Sequence, residues 1–173
     1  QASKSMKNDG VGNYMLSPKQ VDQLPVLMGE RDVIRAVQML PGVQACNDAS
    51  GGMIVRGGGT DGNLILLDDI PVFNVNHLFG IFSVFDSDPM KSINFYSGGF
   101  SAKYGGRTSS VLDLKLKDGN QYEYHGKISV GIVSSKLFLE GPIKKDKSSF
   151  MVSARRTYLD LPIRAYQRIK NSN

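Results

Sequence analysis

The residues of this chain that could do chemistry are few and badly spaced for it. Gly57-Gly58-Gly59-Thr60 has the backbone freedom to cradle a phosphate, but no Gly-Lys-Ser/Thr follows, and the next residues read as a strand rather than a helix. Asp61-Gly62-Asn63 and Asp68-Asp69 offer oxygens to a calcium ion without the regular ligand spacing of a calcium loop. The two histidines, His77 and His125, lack neighbours at metal-ligand spacing and read as solvated or packed side chains. Cys46 is the single cysteine. It excludes an internal disulfide and any multi-cysteine metal site, and reads as a small packing residue. No Ser/His/Asp set stands out as a spaced motif. The sequence therefore predicts no catalytic residue, no metal site and no cofactor.

What the glycines can do is shape backbone. Two Gly-rich segments, Val55-Arg56-Gly57-Gly58-Gly59-Thr60-Asp61-Gly62-Asn63 and Tyr96-Ser97-Gly98-Gly99-Phe100-Ser101-Ala102-Lys103-Tyr104-Gly105-Gly106-Arg107, flank one apolar run. Glycine permits positive φ and close approach of chain to chain, so both read as tight loops between strands. Leu64-Ile65-Leu66-Leu67 is continuous, as expected of a strand covered on both faces, and Pro71 stops its ladder.

The elements that must position these loops follow from periodicity. Residues 1–18 are polar and read as a flexible lead-in, and 20–28 as extended chain around Leu24-Pro25-Val26. Residues 29–40 form the clearest helix, with Val33, Ile34, Val37 and Leu40 on one stripe, Gly29 placed to cap it, and Pro41-Gly42 ending it. Strands are expected at 52–56, 64–70, 93–96 and 111–117. The last reads as half-buried, with Leu112, Leu114 and Leu116 inward and Asp113, Lys115 and Lys117 outward. Residues 73–85 are loop-like but aromatic, which suggests packing under something, and 86–90 read as a short helical turn.

After Gly119 the character changes. Residues 1–120 carry net charge −1 and residues 121–173 carry +6. Ile128, Val130 and Ile132 alternate in one phase and Leu137 and Leu139 in the other, so a turn or bulge is expected between them. A charged turn, Lys144-Lys145-Asp146-Lys147, precedes another strand-like stretch, and 159–170 could form a basic helix or a frayed loop. Hairpins of weak individual signal fit outer-membrane barrel strands, and fit an ordinary antiparallel sheet as well. No apolar run reaches the roughly 18 residues of a membrane-spanning helix. A chain that begins at Gln1 reads as a piece of a processed precursor.

Several segments, in this order, resemble the plug domain of TonB-dependent outer-membrane receptors. Leu24-Pro25 through Gly29-Glu30-Arg31-Asp32-Val33 and on to Leu40-Pro41-Gly42-Val43 is similar to the first plug helix and its terminating "PGV". Ile54-Val55-Arg56-Gly57 resembles "IRG", Leu66-Leu67-Asp68-Asp69-Ile70-Pro71-Val72 resembles "LDGVPV", and residues 93–105 resemble "IEVxxGxxxxxYG". Residues 126–142 look like the opening barrel strands in the version that reads "EGPI". The resemblance spans residues 20–118 and implies an α+β fold: a plug with a small mixed four-stranded sheet and short helices, followed by antiparallel barrel-type strands. The expected organisation is a flexible segment at 1–19, the plug at 20–118, and first barrel strands with a basic tail at 119–173.

The family implies a mechanism without chemistry on the substrate. A barrel of about 22 strands holds the plug in its lumen, the ligand binds on plug apices and barrel loops, and the inner-membrane motor pulls an N-terminal TonB box, of which residues 1–18 show no convincing example. The implied role is import of a siderophore, cobalamin, oligosaccharide or peptide across the outer membrane. Ligand-facing apices would carry Thr60, Asp61, Asn63, Phe73, Asn74, Asn76, His77 and Phe79. Arg56 would lock the plug to barrel carboxylates, since a guanidinium suits bidentate pairing. Ser97 stands where the family often has Arg or Lys, which leaves Arg107 as a substitute second cation, and Asp69 stands where the family usually has Gly. Expected partners are TonB, the chain's own barrel, outer-membrane lipid and a surface lipoprotein, with no nucleic acid. Open strand edges in the tail also suit self-association. The alternatives are a stand-alone binding or adhesion module of the cell surface and, further off, a basic nucleic-acid binder using the Lys144–Lys147 and Arg155-Arg156 patches; steep salt dependence of nucleic-acid binding would mark the latter.

Overall fold

A computed structural model describes residues 7–8, 12–24, 32–46, 52–77, 82–131 and 134–158. The chain divides into two compact units, one of Gln1–Pro25 with Arg31–Lys117, the other of Val26–Glu30 with Asp118–Asn173.

The first unit is built on a mixed sheet. Its longer strands are β2 (Asn13–Leu16), β5 (Asn63–Leu67), β9 (Met90–Tyr96) and β10 (Ser110–Leu116). Two-residue strands β1 (Lys7–Asn8) and β6 (Ile70–Pro71) extend the order to β1-β2-β9-β10-β5-β6. β10 runs antiparallel to β9 and parallel to β5, pairing Leu112 with both Phe95 and Ile65. The mixed sheet expected from sequence is present with six strands rather than four; the strand expected at 52–56 lies outside it in a separate hairpin, and β2 takes its place beside β9. Hairpins β3 (Val43–Ala45) with β4 (Met53–Val55), and β7 (Asn76–His77) with β8 (Phe82–Ser83), stand beside it.

Two helices frame the sheet. α1 (Pro18–Gln23) starts with a capping box: the Ser17 hydroxyl accepts from the Gln20 amide while the Gln20 side chain accepts from the Ser17 amide, and Pro18 takes a position that needs no donor. This corrects the extended reading of residues 20–28 as far as Gln23. α2 (Val33–Gln38) is capped by Asp32, whose carboxylate accepts from the Ile34 and Arg35 amides. The cap is therefore Asp32; Gly29 lies outside the described residues. The predicted stripe of Val33, Ile34, Val37 and Leu40 is buried in the main core with Phe95, Ile93, Leu112 and Leu114.

Other expectations change with tertiary context. Residues 13–16, read as lead-in, pair with β9 from Asn13↔Tyr96 to Leu16↔Ile93. β10 is buried over Ser110–Leu114 on both faces rather than one, because a second cluster of Leu66, Tyr104 and Val111 covers the face opposite the main core. Residues 86–90 contain a turn, closed by the Met90 amide on the Ser87 carbonyl, not a helix. In the aromatic loop, Phe85 is buried but Phe73 is 85% exposed.

The second unit is an antiparallel sheet of β11 (His125–Val130), β12 (Ser134–Lys144) and β13 (Ser148–Thr157). The reverse between β11 and β12 is closed by the Gly131 amide on the Ser134 carbonyl. It restores phase: Ile128 pairs with Leu137 and Gly126 with Leu139, so the two opposed alternations share one face. That face continues through Val152 and Ala154 of β13. Residues 159–173, including the basic stretch, lie outside the described residues.

Candidate functional site

Four features of the molecule could carry function, and each is held by backbone geometry that the sequence only partly advertises. The first is the loop after β4. Arg56 and Gly57 both adopt positive φ, 49° and 76°, and the Gly58 amide returns to the Val55 carbonyl at 2.9 Å. This is a type I′-like turn, unusual in placing an arginine in the left-handed region. It turns the Arg56 side chain over the backbone of Gly12 and Gly98: a Cβ on Gly12 would stand 2.5 Å from Arg56 Nη2, and one on Gly98 2.7 Å from Nη1. Ser97, 3% exposed, donates to the Gly12 carbonyl from both its amide, 2.8 Å, and its hydroxyl, 3.0 Å. Among the described residues Arg56 makes no ion pair.

The second feature is a cavity of about 200 Å³ near the start of β5. A hairpin turn through Asp68 and Asp69, with φ of 49° and 67°, folds β6 back along β5 so that the Val72 amide reaches the Ile65 carbonyl. The return brings Phe73 to the cavity that Thr60, Asp61, Asn63 and Arg107 also line, over an apolar floor that includes Ile34, Met53 and Val75. Four of the sequence-predicted apex residues therefore meet in one place. Arg107, expected as a second locking cation, is on the cavity wall with them. Thr60 and Asp61 are exposed on a 3-10 turn, Thr60–Gly62. Asn63 is instead a structural tie. Its side-chain amide donates to the Met53 carbonyl at 2.7 Å and its Oδ1 accepts from the Ser110 hydroxyl at 2.7 Å, joining β4, β5 and β10. Asn74 is exposed beside this wall. Asn76 and His77 form β7, but their side chains, like Phe79 altogether, lie outside the described residues.

The third is a polar network at the opposite end of β5. Lys115 Nζ lies 2.6 Å from Asp69 and 3.7 Å from the buried carboxylate of Asp113. Lys103 lies 3.8 Å from Asp69 and 4.7 Å from the centre of the Tyr104 ring. The Tyr104 hydroxyl donates to Asp113 at 3.0 Å. Burial, and then this donation to a carboxylate, push the Tyr104 phenol well above its ordinary range. The hydrogen bond from Lys115 holds the Asp69 carboxyl below its ordinary value, and the same bond raises the Lys115 ammonium. Burial of Asp113 has no signature in the sequence. An acid at the polar phase of an alternating strand is indistinguishable from a solvated one until Tyr104 comes to cover it.

The fourth is the apolar face of the second unit. Ile128 is 75% and Val130 77% exposed, and Leu137, Leu139 and Val152 are open beside them. Tyr124 lies across Gly141, where a Cβ would strike its ring; its hydroxyl donates to the Pro142 carbonyl at 2.8 Å and its ring stands 6.3 Å from that of Phe150. An apolar band edged by an aromatic pair, with polar residues on the other face, is the surface a transmembrane barrel turns to lipid.

A mixed plug-like sheet with loops converging on one cavity, followed in the same chain by barrel-type hairpins, defines a class: the plug of an outer-membrane receptor. The TonB-dependent Receptor Plug Domain family matches residues 20–111, and the chain belongs to that family and to the outer membrane. Solved structures show the same fold. The siderophore receptor PirA from Pseudomonas aeruginosa aligns with TM-score 0.60 and 19% identity, covering 87% of this chain and 28% of its own. The copper transporter OprC aligns with TM-score 0.55 and 14% identity over 78% of this chain and 22% of its own. The outer membrane transporter YddB from Escherichia coli aligns with TM-score 0.51 and 15% identity over 75% and 23%. The chain thus spans about a quarter of the length of these structures. No curated protein matches it.

Proposed function

We propose that this chain is the gate of an importer: it fills the lumen of its own barrel, contributes a wall to the site where a nutrient binds, and is displaced through TonB so that the nutrient passes unchanged. The observation that carries this reading is the succession, in one chain of the plug family, of a plug sheet and a hairpin sheet with one continuous apolar face. Within it, Arg56 serves as the cation that holds the plug to barrel carboxylates, the residue being exposed and without an ion pair among the described residues. Thr60, Asp61, Phe73, Asn74 and Arg107 serve the cargo side, their mixture of hydroxyl, carboxylate, aromatic ring, amide and guanidinium suiting a polar nutrient with an apolar part, such as a siderophore, cobalamin, an oligosaccharide or a peptide. These residues bind and release; no step of the reading makes or breaks a covalent bond.

Two measurements test it. The gene around this segment should encode a signal peptide upstream and several hundred residues of period-two strands downstream; a stop codon after Asn173 would leave no barrel and overturn the reading in favour of a free-standing binding module. In the full-length receptor, Arg56→Ala should raise the passive KCl conductance across a planar lipid bilayer. Equal conductance in variant and wild type would refute the lock.

A further inference from the structure

The seat of Arg56 is made of two segments far apart in sequence, and one of them is the N-terminal strand. Gly12 immediately precedes β2, has φ of 93° and is buried. Its carbonyl takes both Ser97 donors, and its bare Cα leaves a space that Arg56 Nη2 and the Ser97 hydroxyl share: a Cβ there would stand 2.5 Å from the one and 2.7 Å from the other. Gly98 leaves the matching space under Nη1. Neither contact could form with any other residue type unless the guanidinium moved. β2 is held by four residue pairs to β9 and, on its other side, by two to β1. Traction on the chain before Gly12 therefore first strips β1 from Met15 and Tyr14 of β2, and with β1 free it bears next on the Gly12–Ser97 bonds.

We propose that Gly12, Ser97 and Gly98 are positioning residues for Arg56, and that withdrawal of the N-terminal strand releases its guanidinium. The strand is the floor of the seat. When Gly12 leaves, the side chain loses one of the two surfaces that aim it, and the cation that holds the gate is freed by the same movement that pulls on the chain. This inference rests on the reading of Arg56 as the plug–barrel lock, so its test separates the seat from the lock.

The seat is read in this chain by arginine-specific dicarbonyl labelling followed by tandem mass spectrometry, with Arg107 as the internal reference. Gly98→Ala puts a methyl where Nη1 lies while its backbone remains in a region that alanine adopts. Ser97→Ala removes the 3.0 Å hydroxyl bond to the Gly12 carbonyl and adds no atom to the space that Arg56 Nη2 occupies. Both should speed labelling of Arg56 relative to Arg107 by about tenfold, the population change that about 1.4 kcal/mol of lost seating produces. Gly105→Ala, which meets nothing within 4 Å, should leave the rate unchanged. The lock is read as KCl conductance of the full-length receptor. Gly98→Ala and Ser97→Ala should each raise it in the presence of Arg56 and add nothing in the Arg56→Ala background. Unchanged labelling in both variants overturns the seat. Faster labelling in Gly98→Ala alone overturns the coupling to the N-terminal strand. Faster labelling in both, with conductance flat in these variants and in Arg56→Ala, leaves the seat standing and refutes the lock.

Discussion

Tyr104→Phe isolates one hydrogen bond in the network that pins the loop before β10. The hydroxyl donates to Asp113 Oδ2 at 3.0 Å. Asp113 Oδ1 has no hydrogen-bond partner, and its remaining support is Lys115 at 3.7 Å. Phenylalanine keeps the ring packing against Tyr96, whose centroid lies 5.6 Å away, and keeps the Lys103 contact with the ring face. What is lost is a bond to a buried carboxylate, which should cost about 2 kcal/mol. Spread over a cooperative unit of roughly 100 residues, that lowers Tm by about 10 °C, measured on this chain by near-ultraviolet circular dichroism. A pH arm tests the cause. The folded state holds the Tyr104 phenol above its unfolded value near 10, so its contribution is fully present below pH 10 and is lost as pH rises through the folded value. The gap between wild type and variant should therefore be constant from pH 6 to 9 and narrow above pH 10. Lysines titrating in the same range are common to both proteins and cancel to first order in the difference. A Tyr104→Phe protein within about 2 °C of wild type at pH 7, or a gap that stays constant to pH 11.5, would refute the reasoning.

Three further outcomes are expected. Asp69→Gly should raise Tm by about 4 °C, because glycine relieves the left-handed strain at φ 67° while the pair it removes is solvent-screened. Since Lys115 holds Asp69 below its ordinary value of 3.8, the pair contributes above that pH and is lost as pH falls below it, so the gain should be largest in acid; a lower Tm at pH 3 would contradict this. Asp32→Ala should cost about 3 kcal/mol, combining a lost helix cap with the loss of the bond that the buried Ser83 amide donates to this carboxylate; urea melts that show less than about 1 kcal/mol would count against it. In the full-length receptor, Ile128→Arg should reduce the heat-modifiable folded band on gels, because a guanidinium on the lipid face costs about 2–4 kcal/mol near the bilayer centre, whereas Ser129→Arg on the opposite face should fold normally.

How much of this is legible in the sequence depends on distance along the chain. The α2 stripe, the apolar run of β5 and the hairpins after Gly119 are local patterns, and they survive. α1 carries a local signal, Ser17-Pro18-Lys19-Gln20, masked by the neighbouring Leu24-Pro25. β2 has none: four residues with polar neighbours become a strand only because β9 offers them a partner. The same holds for the sites. Loop position marks Thr60, Asp61 and Phe73 one by one, but their meeting at one cavity follows from a tight turn at Asp68-Asp69, a pair whose left-handed conformations neither residue type requires. Its motif marks Arg56, whereas its seat joins residues more than 40 positions away on either side.

The two Gly-rich segments illustrate why composition alone reaches the right class of feature and stops. Both read as backbone devices, and both admit a neighbour where a Cβ would stand. In the first, Gly58 and Gly62 close on the Ser109 side chain, and the Gly62 carbonyl accepts from the Thr108 and Ser109 amides, which fastens the loop to the start of β10. In the second, Gly98 admits the end of a long, flexible cation. The Ser109 Cβ, 2.9 Å from a Cβ on Gly58 and 3.1 Å from one on Gly62, can be displaced only by moving backbone, so substitution at Gly58 or Gly62 should act through folding. A guanidinium can swing aside, so substitution at Gly98 should leave the fold intact and change where one charge points. Identical residues in similar motifs therefore separate, by what they touch, into glycines whose substitution should act on the fold and one whose substitution should move a charge, a distinction carried by the tertiary contact and by nothing in the local sequence.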